Sequence, residues 1–257
     1  MSSRAQPPLG RRALAEGLGT GLLVTVVVGS GIAAQRLSPG EVGLELLENA
    51  AATAAGLAVL ILMLGPISGA HFNPAVSVVD WLLGRRAGTG LTPRGLAAYL
   101  PAQVAGAVGG SILANLMYAD AAVTWSTKSR SGGHLLLSEV VATAGLLMLI
   151  VALARTGQTR AAPAAVGAYI GAAYWFTSST SFANPAVTIG RAFTDTFAGI
   201  APASVPGFVA AQLVGAGVAL LIVRALYPDV ARAADDMVVP HATASRDGSD
   251  APARRLE

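Results

Sequence analysis

The tetrapeptide Asn-Pro-Ala-Val occurs twice in the chain, at residues 73–76 and again at residues 184–187. Two other marks recur in the same order. Glu16 with Thr20 recurs as Glu139 with Thr143, and Ala-Gln followed by Gly-Ala recurs between residues 102–107 and 211–216. Three matched marks in one order indicate an internal duplication, so we expect the chain to fold as two similar halves.

Long apolar stretches accompany the duplication, three in each half. A helix needs about 20 apolar residues to cross the hydrocarbon core of a bilayer. The stretches that approach this length are Leu14–Ala34, Glu45–Leu64, Gly95–Tyr118, Leu135–Ala154, Pro163–Ser179 and Gly207–Tyr227. Only 12% of the residues are charged, about half the share typical of soluble domains. Hydrophobic residues make up 53% and the mean hydropathy is +0.59, values that disfavour a soluble enzyme and exclude a disordered chain. The first stretch is longer than the core of a typical signal peptide, and the repeat requires that it be retained.

An odd number of spans in each half means that the second half enters the membrane from the opposite side. We therefore predict an all-α membrane protein in which six transmembrane helices and two half-helices form an inverted repeat. The membrane domain extends over residues 13–228, with repeats at about 13–118 and 134–228. A short cytoplasmic segment, residues 1–12, precedes it, and a polar tail with a composition typical of disorder, residues 229–257, follows it.

The basic residues predict the orientation, because cytoplasmic loops carry an excess of Arg and Lys. With a cytoplasmic N-terminus, only Arg36, Lys128, Arg130 and Arg191 lie outside, and the other basic residues lie inside. This predicts a multi-pass protein of the bacterial inner membrane with both termini in the cytoplasm. The basic residues form no stripe with aromatic residues, so no nucleic-acid partner is expected. The chain has no cysteine, which excludes thiolate sites, and no metal or other cofactor is expected.

Each Asn-Pro-Ala motif begins a short apolar segment, Ala75–Leu83 in the first half and Ala186–Phe193 in the second. Asn is a strong N-cap and Pro suits the first helical position, so both segments are predicted to be half-helices. Inverted symmetry brings their N-termini together near the midplane of the membrane. Two N-termini at one point repel cations, because each carries about half a positive charge. The side-chain amides of Asn73 and Asn184 can donate hydrogen bonds to a passing hydroxyl group. Two ordinary N-capped surface turns, the alternative, explain neither the apolar context nor the matched partner.

The residues from His71 to Val76, the second Asn-Pro-Ala motif and the paired acids Glu16 and Glu139 resemble the aquaporin and aquaglyceroporin family of major intrinsic proteins. The resemblance covers about residues 14–227 and implies a homotetramer with a pore through each protomer. The pore motifs that it assigns are Asn73, Pro74, Ala75, Asn184, Pro185 and Ala186.

Glu139 lies inside an otherwise neutral span and Glu16 lies at the edge of its own span, where a carboxylate needs partners. Because the two acids occupy matching positions in the two repeats, we interpret them as structural tethers that accept hydrogen bonds from the irregular backbone near the half-helices. The alternative is a proton relay. His71, two residues before Asn73, either lines the pore mouth or packs against Phe72.

Four positions line the narrowest point of the pore in the family that the chain resembles. Counting from the two Asn residues transfers them to Thr53, Ala172, Ser181 and Val187. The usual family pattern has Arg directly after the second Asn-Pro-Ala, where this chain has Val187, and the other three residues are small. We therefore expect a wide, nearly uncharged constriction that passes solutes of glycerol size as well as water. Arg191, four residues further on, either supplies the missing charge or pairs with Asp195 on the surface.

The segment from Ser181 to Thr188, with the small residues at the filter positions, resembles a bacterial subgroup of aquaglyceroporins associated with arsenic resistance. This resemblance implies that arsenite, a neutral trihydroxide at neutral pH, is among the solutes. A water-selective aquaporin is one alternative. An inverted-repeat secondary transporter is another, and it needs an ion or proton site at the midplane. A membrane enzyme has little support, because Ser68 and His71 have no accompanying acid or nucleophile motif.

Overall fold

The computed structural model describes residues 7–85 and 87–227. The α-helices in these residues are α1 (Leu9–Leu37), α2 (Val42–Ser68), α3 (Pro74–Gly84), α4 (Pro93–Met117), α5 (Gly133–Arg155), α6 (Ala162–Phe176), α7 (Pro185–Gly190) and α8 (Val205–Leu226). Short 3-10 turns occur at Thr159–Ala161, Arg191–Phe193 and Pro202–Ser204. The polar tail predicted for residues 229–257 lies outside the described residues, as do residues 1–6 of the predicted N-terminal segment and Arg86.

The order of long and short helices confirms the predicted all-α architecture, with α3 and α7 as the half-helices. Five of the described helices are long and apolar enough to cross a membrane, namely α1, α2, α4, α5 and α8 with the 3-10 turn before it. The sixth, α6, has 15 residues, or about 22 Å of helix. The 3-10 turn at Thr159–Ala161 adds about 6 Å, so the two together nearly match a hydrocarbon core of about 30 Å.

The helix ends of the second half differ from the prediction. Helix α6 ends at Phe176 instead of Ser179, because Thr177 has an extended backbone with φ of −111° and ψ of 137°. The second half-helix is also shorter than predicted. Helix α7 ends at Gly190 after six residues, and the chain continues as the 3-10 turn Arg191–Phe193.

The two halves pack in the same way. Helix α1 contacts α2 and α4, and α5 contacts α6 and α8, while α2 contacts α6 between the halves. Each half-helix contacts both halves, because α3 packs against α4 and α8, and α7 packs against α4 and α8. Large apolar side chains such as Leu14, Leu62 and Leu221 remain exposed on the outer surface, as a lipid-facing surface requires.

Glycines permit a close contact between α1 and α4. A Cβ atom added at Gly106 would overlap the carbonyl oxygen of Gly17, and one added at Gly110 would overlap that of Gly21. Gly215 is the residue that matches Gly106 in the second half, and it approaches the backbone of α5 in the same way. The Gly-Ala pair that recurs in both halves therefore lies where small residues allow helices to pack closely.

Candidate functional site

The first turn of each half-helix is capped by an Asn side chain. Oδ1 of Asn73 accepts a hydrogen bond from the backbone N–H of Ala75 at 2.9 Å. Oδ1 of Asn184 accepts one from the backbone N–H of Ala186 at 3.0 Å. Both Asn residues have an extended backbone and precede a Pro at the first helical position. The predicted N-caps are thus confirmed.

The same two side chains join the loops that precede the half-helices. Nδ2 of Asn73 donates to the carbonyl oxygen of Ala183 at 2.8 Å, and Nδ2 of Asn184 donates to that of Phe72 at 2.7 Å. These reciprocal bonds are those that a two-fold axis between the loops would produce. They bring the N-termini of α3 and α7 together, with one further N–H on each amide available to a solute.

Both loops contain strained backbone. Ala70 and Phe72 have φ of 51° and 48°, and Ser181 and Ala183 have φ of 47°. Such left-handed conformations cost about 1–3 kcal/mol for each non-glycine residue. The strain persists only if the surroundings hold the loops firmly, and the buried acids provide this support.

In the first half, the carboxylate of Glu16 holds the loop. It is fully buried, and it accepts hydrogen bonds from the backbone N–H groups of His71 at 3.0 Å and Phe72 at 2.7 Å. Ser68 Oγ and Gln103 Nε2 each donate a further bond at 2.7 Å. Four donors around one buried carboxylate satisfy both of its oxygens.

Glu139 holds the loop of the second half in the same way. Its carboxylate accepts hydrogen bonds from the backbone N–H groups of Phe182 and Ala183, both at 2.9 Å. Ser179 Oγ and Gln212 Nε2 donate to it at 2.6 Å. The role of Gln103 and Gln212 was missed at the sequence level, although their place in the repeat was a usable signal.

A cavity of about 50 Å³ passes the two Asn residues. Since one water molecule needs about 10–15 Å³ of such space, there is room for several. The two loops contribute polar groups to its lining, among them His71, Asn73 and Asn184. The long helices contribute mainly apolar side chains, namely Leu23, Val27, Leu57, Ile61, Leu146, Ile150, Val166 and Ile170.

Three of the four residues expected at the constriction line this cavity, namely Thr53, Ser181 and Val187. The placement of Ala172 there is wrong, because Ala172 lies on an exposed face of α6. Tyr174, which the sequence analysis missed, lines the cavity instead, and its hydroxyl lies 3.2 Å from Oγ1 of Thr53.

The buried Arg191 lines the same cavity, so a charged side chain lies among the residues around the solute path. Its guanidinium carbon lies 3.4 Å from the centre of the Phe182 ring, and its Nε donates to the carbonyl oxygen of Ala198. The surface pair considered for Arg191 and Asp195 does not form. The carboxylate of Asp195 instead accepts hydrogen bonds from Thr127.

His71 lines the cavity, in keeping with the first of the two roles considered for it, and the packing contacts of its ring are with residues other than Phe72. Its Nδ1 lies 3.0 Å from Oγ of Ser77, and its Nε2 lies 3.6 Å from Oδ2 of Asp80. The ring packs edge-on against Tyr99, with the ring centres 5.6 Å apart.

The segment between α4 and α5 contacts the residues that follow α7. Lys128 lies in this segment, and its carbonyl oxygen accepts a hydrogen bond from the backbone N–H of Ala201 at 2.8 Å. Its Nζ donates to the carbonyl oxygen of Phe197 at 2.9 Å. Burial lowers the pKa of Lys128 to about 8, and the positive charges of Arg130 and Arg191 lower it further.

Arg130, in the same segment, is a buried residue that the sequence analysis did not single out. Its guanidinium donates to the carbonyl oxygens of Gly199 at 2.9 Å and Ser179 at 3.3 Å, and lies 4.9 Å from the Phe182 ring centre. Burial lowers the pKa of Arg130 to about 10. Through Arg130 the segment is therefore bonded to the second loop at Ser179 and contacts the ring of Phe182.

The chain is similar to a known protein family over most of its length. The model of the Major intrinsic protein family matches residues 4–182. The chain is 54% identical over 216 residues to Aquaglyceroporin AqpS of Rhizobium meliloti (strain 1021), a match that covers 84% of this chain and 90% of the relative. It is 32% identical over 232 residues to the Glycerol uptake facilitator protein of Pseudomonas aeruginosa, covering 78% of this chain and 80% of the relative.

Among solved structures, the chain is similar to the aquaglyceroporin from Plasmodium falciparum, with a TM-score of 0.64 and 22% sequence identity. The match covers 87% of this chain and 99% of the other. At this identity the likeness concerns the fold, and it agrees with the helical architecture described above.

Proposed function

The chain belongs to the major intrinsic protein family, and we propose that it is a passive channel for small uncharged solutes of the glycerol type, together with water. The observation that carries the proposal is the cavity lined by both Asn caps, in which polar groups of the loops and apolar side chains of the long helices occur together. A polyol has hydroxyl groups and C–H groups, so it can contact both kinds of group at once.

Cation exclusion follows from the two half-helices. Their N-termini meet at the Asn pair, and each presents a partial positive charge of about half a unit. The Oδ1 atoms of Asn73 and Asn184 are occupied by backbone N–H groups, so the side-chain groups left for a solute are N–H donors. A neutral hydroxylated solute is accepted at this point, whereas a cation meets donors and a positive potential.

Arsenite is a further solute that we propose for the channel. Arsenous acid is a neutral trihydroxide at neutral pH and presents hydroxyl groups as glycerol does. The assembly that we propose is a homotetramer in the bacterial inner membrane, with a pore in each protomer and both termini in the cytoplasm. No cofactor or nucleic acid takes part. The orientation is supported by the excess of basic residues on the predicted cytoplasmic side.

The buried acids favour a channel over a coupled transporter. Glu16 and Glu139 each accept four hydrogen bonds from fixed donors, which suits tethers and leaves neither carboxylate free to bind a moving ion or proton. An enzymatic role is also disfavoured, because the Ser68 hydroxyl donates to Glu16 as part of a tether.

Stopped-flow measurements on proteoliposomes with gradients of glycerol, urea and arsenous acid test the proposal. We expect faster glycerol and water flux than in protein-free vesicles, with rates that increase linearly with the gradient. Water flux without glycerol flux would instead support a water-selective aquaporin. Saturating flux that depends on an ion gradient would support a secondary transporter.

A substitution at the constriction connects this flux to the cavity. Val187→Arg places a second guanidinium beside the solute path, and we expect lower glycerol and arsenite flux with water flux largely retained. Val187→Ile, which adds volume without charge or donors, is the control. Unchanged glycerol flux in Val187→Arg would mean that the solutes do not pass Val187.

A further inference from the structure

The Arg191 side chain is 2% exposed and lines the central cavity, yet most of its hydrogen-bond donors have no protein partner. Among the described residues, its side-chain hydrogen bonding is limited to Nε, which donates to the carbonyl oxygen of Ala198. A guanidinium has five N–H donors. The four donors on the two Nη atoms therefore remain available to water or a solute in the cavity.

An aromatic platform holds this guanidinium in place. The ring of Phe182 lies 3.4 Å from the guanidinium carbon, within the range of a stacked cation–π contact. The ring itself is fixed by Phe208, whose centre is 5.1 Å away at a steep angle, and by the guanidinium of Arg130 at 4.9 Å. The backbone N–H of Phe182 is bonded to Glu139, so the platform belongs to the tethered loop.

Val187 and Arg191 are close in sequence and differ in what they contribute to the cavity. Both residues line the same cavity, and Val187 lies one helical turn nearer the Asn184 cap. The short apolar side chain of Val187 provides neither charge nor donors. The regular helix α7 ends at Gly190, and a 3-10 turn begins at Arg191, whose side chain lines the cavity.

We propose that Arg191 is the specificity-determining cation of this channel, supplying from one turn further along the chain the charge and hydrogen-bond donors that Val187 lacks. The proposal rests on the passive channel proposed above and deepens it. The guanidinium adds a full positive charge to the partial charges of the half-helices. Its Nη donors bind the hydroxyl oxygens of a solute while the hydroxyls of Tyr174 and Thr53 lie nearby on the cavity wall.

The absence of cysteine in the chain makes Arg191→Cys a clean test, because its thiol can be modified alone. In proteoliposomes with an internal pH-sensitive dye, we expect Arg191→Cys to raise proton permeability per channel by about tenfold or more, which corresponds to ~1.4 kcal/mol of barrier. We expect the ratio of glycerol to water permeability to change as well. Modification with 2-aminoethyl methanethiosulfonate restores a positive charge and should restore proton exclusion, whereas the neutral methyl methanethiosulfonate should not.

Arg36→Cys is the matched control. Arg36 is also predicted to lie outside, but it pairs with Asp120 at 3.0 Å and is not among the residues that line the central cavity. Its substitution removes the same charge, and we expect proton exclusion and the solute ratio of the unmodified protein.

Two results would overturn the role of Arg191. One is wild-type proton exclusion and an unchanged solute ratio in an Arg191→Cys protein that still conducts water. The other result applies if Arg191→Cys does not fold, and it comes from a comparison of two further variants. These are the single variant Arg191→Val and the double variant Val187→Arg/Arg191→Val. The double variant keeps a guanidinium in the cavity and should exclude protons better than the single one, so equal leaks would refute the proposal. Failure of the unmodified protein to carry glycerol would refute the channel instead, whatever the Arg191 variants do.

Discussion

Replacing Glu139 with Gln tests whether the buried acids act as tethers. In the folded protein one carboxylate oxygen accepts bonds from Ser179 and the backbone of Phe182, and the other accepts from the backbone of Ala183 and from Gln212. A Gln side chain of the same shape keeps one accepting oxygen. Its amide group then faces two donors that it cannot satisfy.

The expected cost follows from these lost bonds. Hydrogen bonds to charged groups contribute about 1.5–3 kcal/mol each, so two of them amount to roughly 3–6 kcal/mol. Oε1 of Gln212 has no hydrogen-bond partner among the described residues, and a flip of that amide would recover one bond. We therefore expect a loss of about 3 kcal/mol, which lowers the melting temperature of a protein of this size by roughly 6–12 °C.

Thermal unfolding in detergent, followed by tryptophan fluorescence, measures this loss. Glu16→Gln removes the matching set of bonds in the first half, so it should cost a similar amount. Glu41→Gln, at an exposed position before α2, is the control and should unfold as the unmodified protein does. A Glu139→Gln protein that melts within ~2 °C of the unmodified protein would refute the tether, and loss of a coupled proton flux in such a stable variant would indicate a relay.

Two further predictions concern packing and charge. In Gly106→Val, the added side chain overlaps the carbonyl of Gly17 and forces α1 from α4, so we expect little folded protein on size-exclusion chromatography. Gly109→Val, where a Cβ meets open space, should elute normally, and equal behaviour of the two would contradict the close contact. Lys128 is the one lysine of the chain, and acylation read by mass spectrometry should be half-maximal near its pKa of about 8 and not near 10.5. Because the folded state releases this proton first, its contribution to stability should rise between those two pH values.

The elements that the sequence predicted well are those governed by short-range rules. The spans followed from apolar length, and the half-helices from Asn and Pro at the first positions of α3 and α7. The tethers followed from the symmetry of Glu16 and Glu139. In each case the information lay within a few residues or in a repeat mark visible along the chain.

The position of Ala172 was predicted from its distance in sequence to Asn184, and an irregular loop lies between the two. Sequence distance across such a loop does not determine which face of α6 a residue occupies. Successive residues of a helix are about 100° apart, so Ala172 and Tyr174 point to nearly opposite sides of α6. The helical period was the better guide. Val166, Ile170 and Tyr174 are spaced four residues apart on one face, and all three line the cavity.

The repeat also explains why Arg191 can reach the cavity. A shift of 111 residues relates His71 to Phe182 and Asp80 to Arg191, and both related pairs are in contact. Nε2 of His71 lies 3.6 Å from the Asp80 carboxylate, and the guanidinium of Arg191 lies 3.4 Å from the Phe182 ring centre. In each half, the duplicated geometry places a residue of the half-helix segment in contact with the loop residue that lies nine positions earlier in the chain. What differs is the chemistry, because the first half places an acid beside an imidazole and the second places a cation on an aromatic ring. The two loops of one symmetric scaffold thus hold chemically different side chains, and we expect the position of Arg191 to depend on Glu139, whose carboxylate binds the backbone N–H of Phe182.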